Sequence, residues 1–262
     1  MIASLPMYDL PERRADTDAL WVAIGERLRQ QGIAAPRTLS RADDPEAAWR
    51  DGRLLLSQSC GLPLLHLPDT VRVVATPRYR APGCESIRYR SALMVRADDS
   101  ASDLGALRNR RCGINGRDSN SGMNLLRAAV APLAEGGRFF ASVSVSGSHA
   151  DSLRWLGEGV IDVAAIDCVT LALLSRDRPA LLAPSRVLGW TEATPGLPLI
   201  TGRVEWVAPL RDALAAVAAD PALAAVREAL LIEGFEPTER GAYDEVAALE
   251  RRARTLGYPV LA

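Results

Sequence analysis

Short apolar runs alternate with amphipathic stretches along the chain. Runs at 2–5, 54–57 and 71–76 read as strands, while 16–31 sets Leu20, Trp21, Ile24 and Leu28 on one helix face, with Gly32 at its stop. Those four are core positions, not ligand contacts. A second series opens near residue 90, with strand-like runs at 88–95, 112–115, 139–145 and 161–166. Between them lie a helical turn at 103–107, a helix at 122–133 that Pro132 helps to end, and a helix at about 150–156. The 161–166 run is apolar on both faces apart from Asp162, as suits a parallel strand covered by helices on both sides. A return strand at 187–194, Pro-rich turns at 194–201 and Ala-rich helices at 209–218, 221–231 and 241–256 complete the pattern. This order predicts an α/β protein of two lobes, 1–88 with 193–262 as lobe one and 89–192 as lobe two, with the crossings forming a hinge.

Composition narrows the function classes. With 262 residues, 48% hydrophobic, 24% charged and a net charge of -1, the chain is of ordinary globular type, neither collagen-like nor low-complexity. The longest unbroken apolar run, 213–219, is too short to span a bilayer, so no membrane insertion is expected. All 31 basic side chains are Arg, balanced by 32 acidic ones, which leaves no surplus for a nucleic-acid backbone. The absence of Lys removes Schiff-base chemistry on an internal lysine and the GxxxxGK phosphate loop. Cys60, Cys84, Cys112 and Cys168 contain no CxxC pair, and His66 and His149 are the only histidines, so neither a metal nor a cofactor is expected. Residues 1–8 show no basic region followed by an apolar one and read as mature sequence, of a cytoplasmic protein as it stands or a periplasmic one after leader removal.

The chemistry concentrates at strand-to-helix turns. Ser119, Asn120 and Ser121 precede Gly122 and an apolar-periodic helix, where hydroxyls and unpaired backbone N–H groups make a site for a small oxyanion; plain N-capping is the alternative. A second such turn, Ser146-Gly147-Ser148-His149, offers an imidazole to the same ligand, or else Ser148 caps and His149 is a first-turn surface residue. Asp167 ends a largely apolar strand, on the side where open α/β sheets bind ligands, and is a candidate to meet a protonated ligand group. Tyr8 and Ser59 hold equivalent places in lobe one, where each can equally be a local packing or turn residue.

At these residues the chain resembles the substrate-binding proteins of phosphate, phosphite and phosphonate ABC transporters, of the type 2 periplasmic binding-protein superfamily. The resemblance lies in the segments from Ser119 to Gly122, from Ser146 to His149, from Gly159 to Asp167, and from Ala81 to Cys84 leading to Tyr89, Arg90 and Ser91. It implies two α/β lobes joined by hinge strands, with a small anion held in the cleft between them. Ser119, Asn120 and Ser121 would hold the oxyanion, His149 would add a donor, Asp167 would meet a protonated group and Tyr8 would close the other wall. The expected activity is binding without catalysis, with an ABC permease or a signalling protein as partner. The alternative is an enzyme on the same fold, acting on a small anionic metabolite through Cys60 or Cys84 with His149.

Overall fold

A computed structural model describes every residue of the chain except Asp43. Its strands, in chain order, are β1 (Ile2–Ser4), β2 (Leu54–Gln58), β3 (Arg72–Tyr79), β4 (Arg88–Tyr89), β5 (Ser91–Arg96) and β6 (Arg111–Ile114). They continue with β7 (Ser142–Val145), β8 (Val163–Asp167), β9 (Ser185–Trp190), β10 (Thr194–Pro195), β11 (Leu199–Thr201) and β12 (Ile232–Pro237). The chain forms two compact units: residues 1–80, 85–87 and 195–243 make unit 1, and residues 81–84, 88–194 and 244–262 make unit 2.

Unit 1 is built on a five-stranded sheet of order β1-β2-β11-β3-β12. β1 and β2 are parallel, whereas β11 runs against β2 and β3, and β12 runs against β3. Leu54, Leu55 and Leu56, the first three residues of β2, are fully buried, as a strand covered on both faces requires. The helix Arg14–Gln30 buries Leu20, Trp21, Ile24 and Leu28, the face its periodicity predicts.

Unit 2 carries a second five-stranded sheet, of order β7-β6-β8-β5-β9. β7, β6 and β8 are parallel neighbours, while β5 runs antiparallel to both β8 and β9. β8, apolar up to its last residue Asp167, is therefore parallel on one edge only. Every residue of β8 is buried.

Several boundaries differ from the expected ones. The run 139–145 becomes strand only at Ser142, because the backbone N–H groups of Phe139 and Phe140 both bond to the carbonyl of Ala262. The helix at 122–133 opens as a π-turn, Asn120–Asn124, continues as α-helix over Leu125–Val130 and ends in a 3-10 turn, Ala131–Leu133. The C-terminal residues 244–262 pack with unit 2, not with the first lobe as the expected division 1–88 with 193–262 has it. Tertiary contacts settle this: Leu249 joins Leu125 and Ala128 in one apolar cluster, and Arg127 Nη1 donates to the Pro259 carbonyl at 2.8 Å.

Candidate functional site in unit 2

Three helices begin at the carboxyl ends of three adjacent parallel strands. After β6, Ser119 caps the π-turn, its Oγ accepting from the Gly122 N–H at 3.0 Å. After β7, Ser148 Oγ accepts from the Asp151 N–H at 3.0 Å and opens the helix His149–Gly157. At the end of β8, Asp167 Oδ1 accepts from Val169 and Thr170 at 2.8 and 2.9 Å and opens the helix Cys168–Asp177. Each helix start presents N–H groups and the positive end of its dipole, so this edge of the sheet favours an anion.

Side chains from the first two turns meet there. Ser119 Oγ and Ser121 Oγ are 3.4 Å apart, and Ser121 Oγ lies 3.0 Å from His149 Nε2. The Ser91 hydroxyl donates to the Ser121 carbonyl at 2.9 Å, and Ser91 stands opposite Asp167 in the β5–β8 register. Ser119 and Ser121 are buried, and His149 is half-buried in its turn. Burial lowers the His149 pKa from 6.5 to about 4, so the ring is neutral near pH 7. His149 Nδ1 is buried and has no hydrogen-bond partner. An orphaned acceptor is better tolerated than an orphaned N–H, which favours the tautomer protonated on Nε2. In that tautomer Nε2–H donates to Ser121 Oγ, which leaves the Ser121 O–H to be donated elsewhere, with Ser119 Oγ 3.4 Å away.

Asn120 plays a different part from the one its neighbours suggest. Its amide donates to the Tyr89 hydroxyl at 3.0 Å and to Thr194 Oγ1 at 3.1 Å, and its carbonyl oxygen accepts from Asn124 at 2.9 Å. Asn124 in turn accepts from Arg127 at 2.7 Å. The Asn120 side chain is wholly buried in this chain of bonds and holds the π-turn in place. Gly122 is required by packing: a Cβ there would lie 1.8 Å from Asn115 Oδ1 and 3.3 Å from the His149 ring. Tyr89 and Ser91 stand out in the sequence only through the resemblance, with no role attached, and Asn115 and Arg127 carry no signal of their own, since each lies in or beside a run that reads as plain strand, loop or helix.

In unit 1, Tyr8 follows β1 and Ser59 follows β2, at the carboxyl ends of that sheet's parallel pair. The Tyr8 ring is buried edge-on against Tyr79, with centroids 5.1 Å apart, beside a small cavity of about 40 Å³ walled by Leu5, Leu20, Ile24 and Gln58. Ser59 is fully buried and its hydroxyl donates to the Cys60 carbonyl at 3.0 Å. Cys60 lies in unit 1. In unit 2, Cys84 Sγ faces Cys168 Sγ at 3.4 Å while His149 Nε2 faces Ser121, so a Cys84–His149 thiolate pair is not formed.

Two α/β units, with helices springing from the carboxyl ends of parallel strands, define the two-lobed fold of periplasmic binding proteins. Three solved structures share it over nearly the whole chain. The binding-protein component of an ABC phosphonate transporter from Pseudomonas aeruginosa matches with a TM-score of 0.76 at 16% identity, over 98% of this chain and 87% of its own. PhnD1 from Prochlorococcus marinus, in complex with methylphosphonate, matches with 0.76 at 14% identity, over 97% and 98%. XAC2383 from Xanthomonas citri bound to ATP matches with 0.73 at 16%, over 98% of each chain. Residues 3–243 match the family described as the ABC-transporter phosphonate periplasmic substrate-binding protein, and the chain belongs to that family. A search among curated proteins returns no significant match. The enzyme alternative finds no support in these likenesses.

Proposed function

We propose that this protein captures a phosphate- or phosphonate-class oxyanion at the unit 2 site, changes no bond in it, and passes it to an ABC-type permease. The observation that carries this reading is the convergence of three capped helix N-termini, two serine hydroxyls and a neutral imidazole at one sheet edge. Such a site stabilises a charged oxygen through donors already oriented before the ligand arrives. The methylphosphonate held by PhnD1 and the ATP held by XAC2383 are both ligands with phosphorus-bound oxygens, in keeping with this chemistry. Asp167 gives one oxygen to its own helix; in this reading its carboxylate also meets a protonated group on the ligand, which favours an amino-substituted phosphonate over phosphate.

Calorimetry with phosphate, phosphite, methylphosphonate, an aminoalkylphosphonate and small carboxylic acids tests the proposal. Phosphorus oxyanions should bind more tightly than the carboxylates, and the reading fails if none binds at millimolar concentration. Ser121→Ala should weaken the best ligand by about 1–3 kcal/mol, because it removes a donor to a charged oxygen. An unchanged affinity would remove Ser121 from the site. Asp167→Asn should weaken the aminoalkylphosphonate more than methylphosphonate; equal losses would limit Asp167 to its capping role.

A further inference from the structure

Cys84 and Cys168 lie far apart in sequence, yet their Sγ atoms are 3.4 Å apart in unit 2. Cys84 is half-exposed, Cys168 is buried, and both are free thiols. Cys84 belongs to the short segment 81–84, which is part of unit 2 although the chain on either side, 1–80 and 85–87, belongs to unit 1. Cys168 is the first residue of the helix that Asp167 caps. The segment is pressed closely onto that helix: at Gly83, whose φ is +97, a Cβ would sit 3.0 Å from Cys168 Cβ and 2.7 Å from the Trp190 ring. Only glycine allows both that backbone conformation and that approach.

We propose that Cys84 and Cys168 are a built disulfide site, closed by a small-molecule or protein disulfide as oxidant, which staples the 81–84 segment to the helix bearing Asp167. A disulfide bond is about 2.05 Å long, so the two sulfurs need to move together by roughly 1.4 Å, within reach of side-chain rotation. The half-exposed Cys84 reacts first: its thiolate attacks the oxidant's disulfide, forms a mixed disulfide and releases one oxidant thiol. Cys168 then loses its proton and attacks Cys84 Sγ, expelling the second oxidant thiol. Two electrons pass from the protein thiols to the oxidant, and the two thiol protons end on the two released thiols. The contact with Cys84, and then burial, hold the Cys168 thiol well above its usual range, which makes this second step the slow one. The site is independent of which ligand the protein carries.

The native protein, incubated with oxidised glutathione and then alkylated and digested with trypsin, reports the bond directly. Trypsin places Cys84 in the peptide 81–88 and Cys168 in 155–176, with Cys60 in 54–72 and Cys112 in 112–117. The expected product is a single cross-link joining 81–88 to 155–176, reversed by dithiothreitol, with Cys60 and Cys112 alkylated. Cys168→Ser should instead stop at a lasting glutathione adduct on Cys84. A wild-type protein that also stops at that adduct, or that links through Cys60 or Cys112, overturns the proposal. The oxidised protein should melt about 5–10 °C above the reduced one, since the bond closes a long loop. A lower melting temperature on oxidation would mean that the bond distorts the native fold, and would also overturn it.

Discussion

His149 makes the stability of the protein depend on pH. Its folded pKa of about 4 lies below the ordinary 6.5, so between these values the unfolded chain takes up the proton first. Stability from this group is therefore fully present above pH 6.5 and is lost as the pH falls from 6.5 towards 4. Urea titrations across that window should show a steeper loss for the wild type than for His149→Gln, and equal slopes would refute the assignment. An anion beside the ring favours its charged form, so binding should raise the pKa and draw in a proton near pH 5–6. Calorimetry in buffers of different ionisation enthalpy, with sulfate as a ligand of fixed charge, measures that uptake. At Gly122 the constraint is steric: Gly122→Ala drives a methyl group into the Asn115 side chain and should cost about 1–3 kcal/mol of stability, read by chemical denaturation. Nothing local in the polar triplet 119–121 shows that the Asn120 side chain turns inward. Its partners Tyr89 and Thr194 stand 31 and 74 residues away.

At the scale of elements, the site depends on a π-turn held by a ladder of amides. Arg127 donates to Asn124, Asn124 to Asn120, and Asn120 to Tyr89 and Thr194. Asn120→Ala breaks the ladder in the middle and leaves buried polar groups without partners, which should cost about 1–3 kcal/mol of stability. It should also lower ligand affinity, because the same turn carries Ser119 and Ser121. A variant as stable and as tightly binding as the wild type would show that the ladder does not position the turn. Periodicity located the helix but not its irregular start, since a π-turn keeps the same apolar face as an α-helix and differs only in which carbonyl each N–H finds. The break between β4 and β5 at Arg90 is equally silent in the sequence. There the Arg90 carbonyl accepts from Cys168 and its guanidinium donates to Thr191.

For the molecule as a whole, a ligand that binds only the folded protein must stabilise it. Phosphonate at 100 times its Kd should add about 2.7 kcal/mol, seen as a rise in melting temperature, and a ligand that binds by calorimetry without such a rise would point to binding by unfolded chain as well. The α/β class and the polar strand-to-helix turns at 119–121, 146–149 and 167 were both legible before any coordinates, because hydrophobic period and small polar turn residues are local properties. The allotment of residues 244–262 was not. Chain order places the last helix with the nearest preceding lobe, whereas its apolar side is satisfied by Leu125 and Ala128 more than a hundred residues earlier.

The amino-acid sequence by itself determined which segments become strands and helices and where helix starts would offer N–H groups and hydroxyls, since backbone preference and amphipathic spacing act over a few residues. Only the tertiary structure decided that Ser121 meets His149, that Asn120 faces inward and that Cys84 meets Cys168. Those contacts depend on strand order and on the packing of helices over the sheet, where groups from distant segments compete for the same few partners.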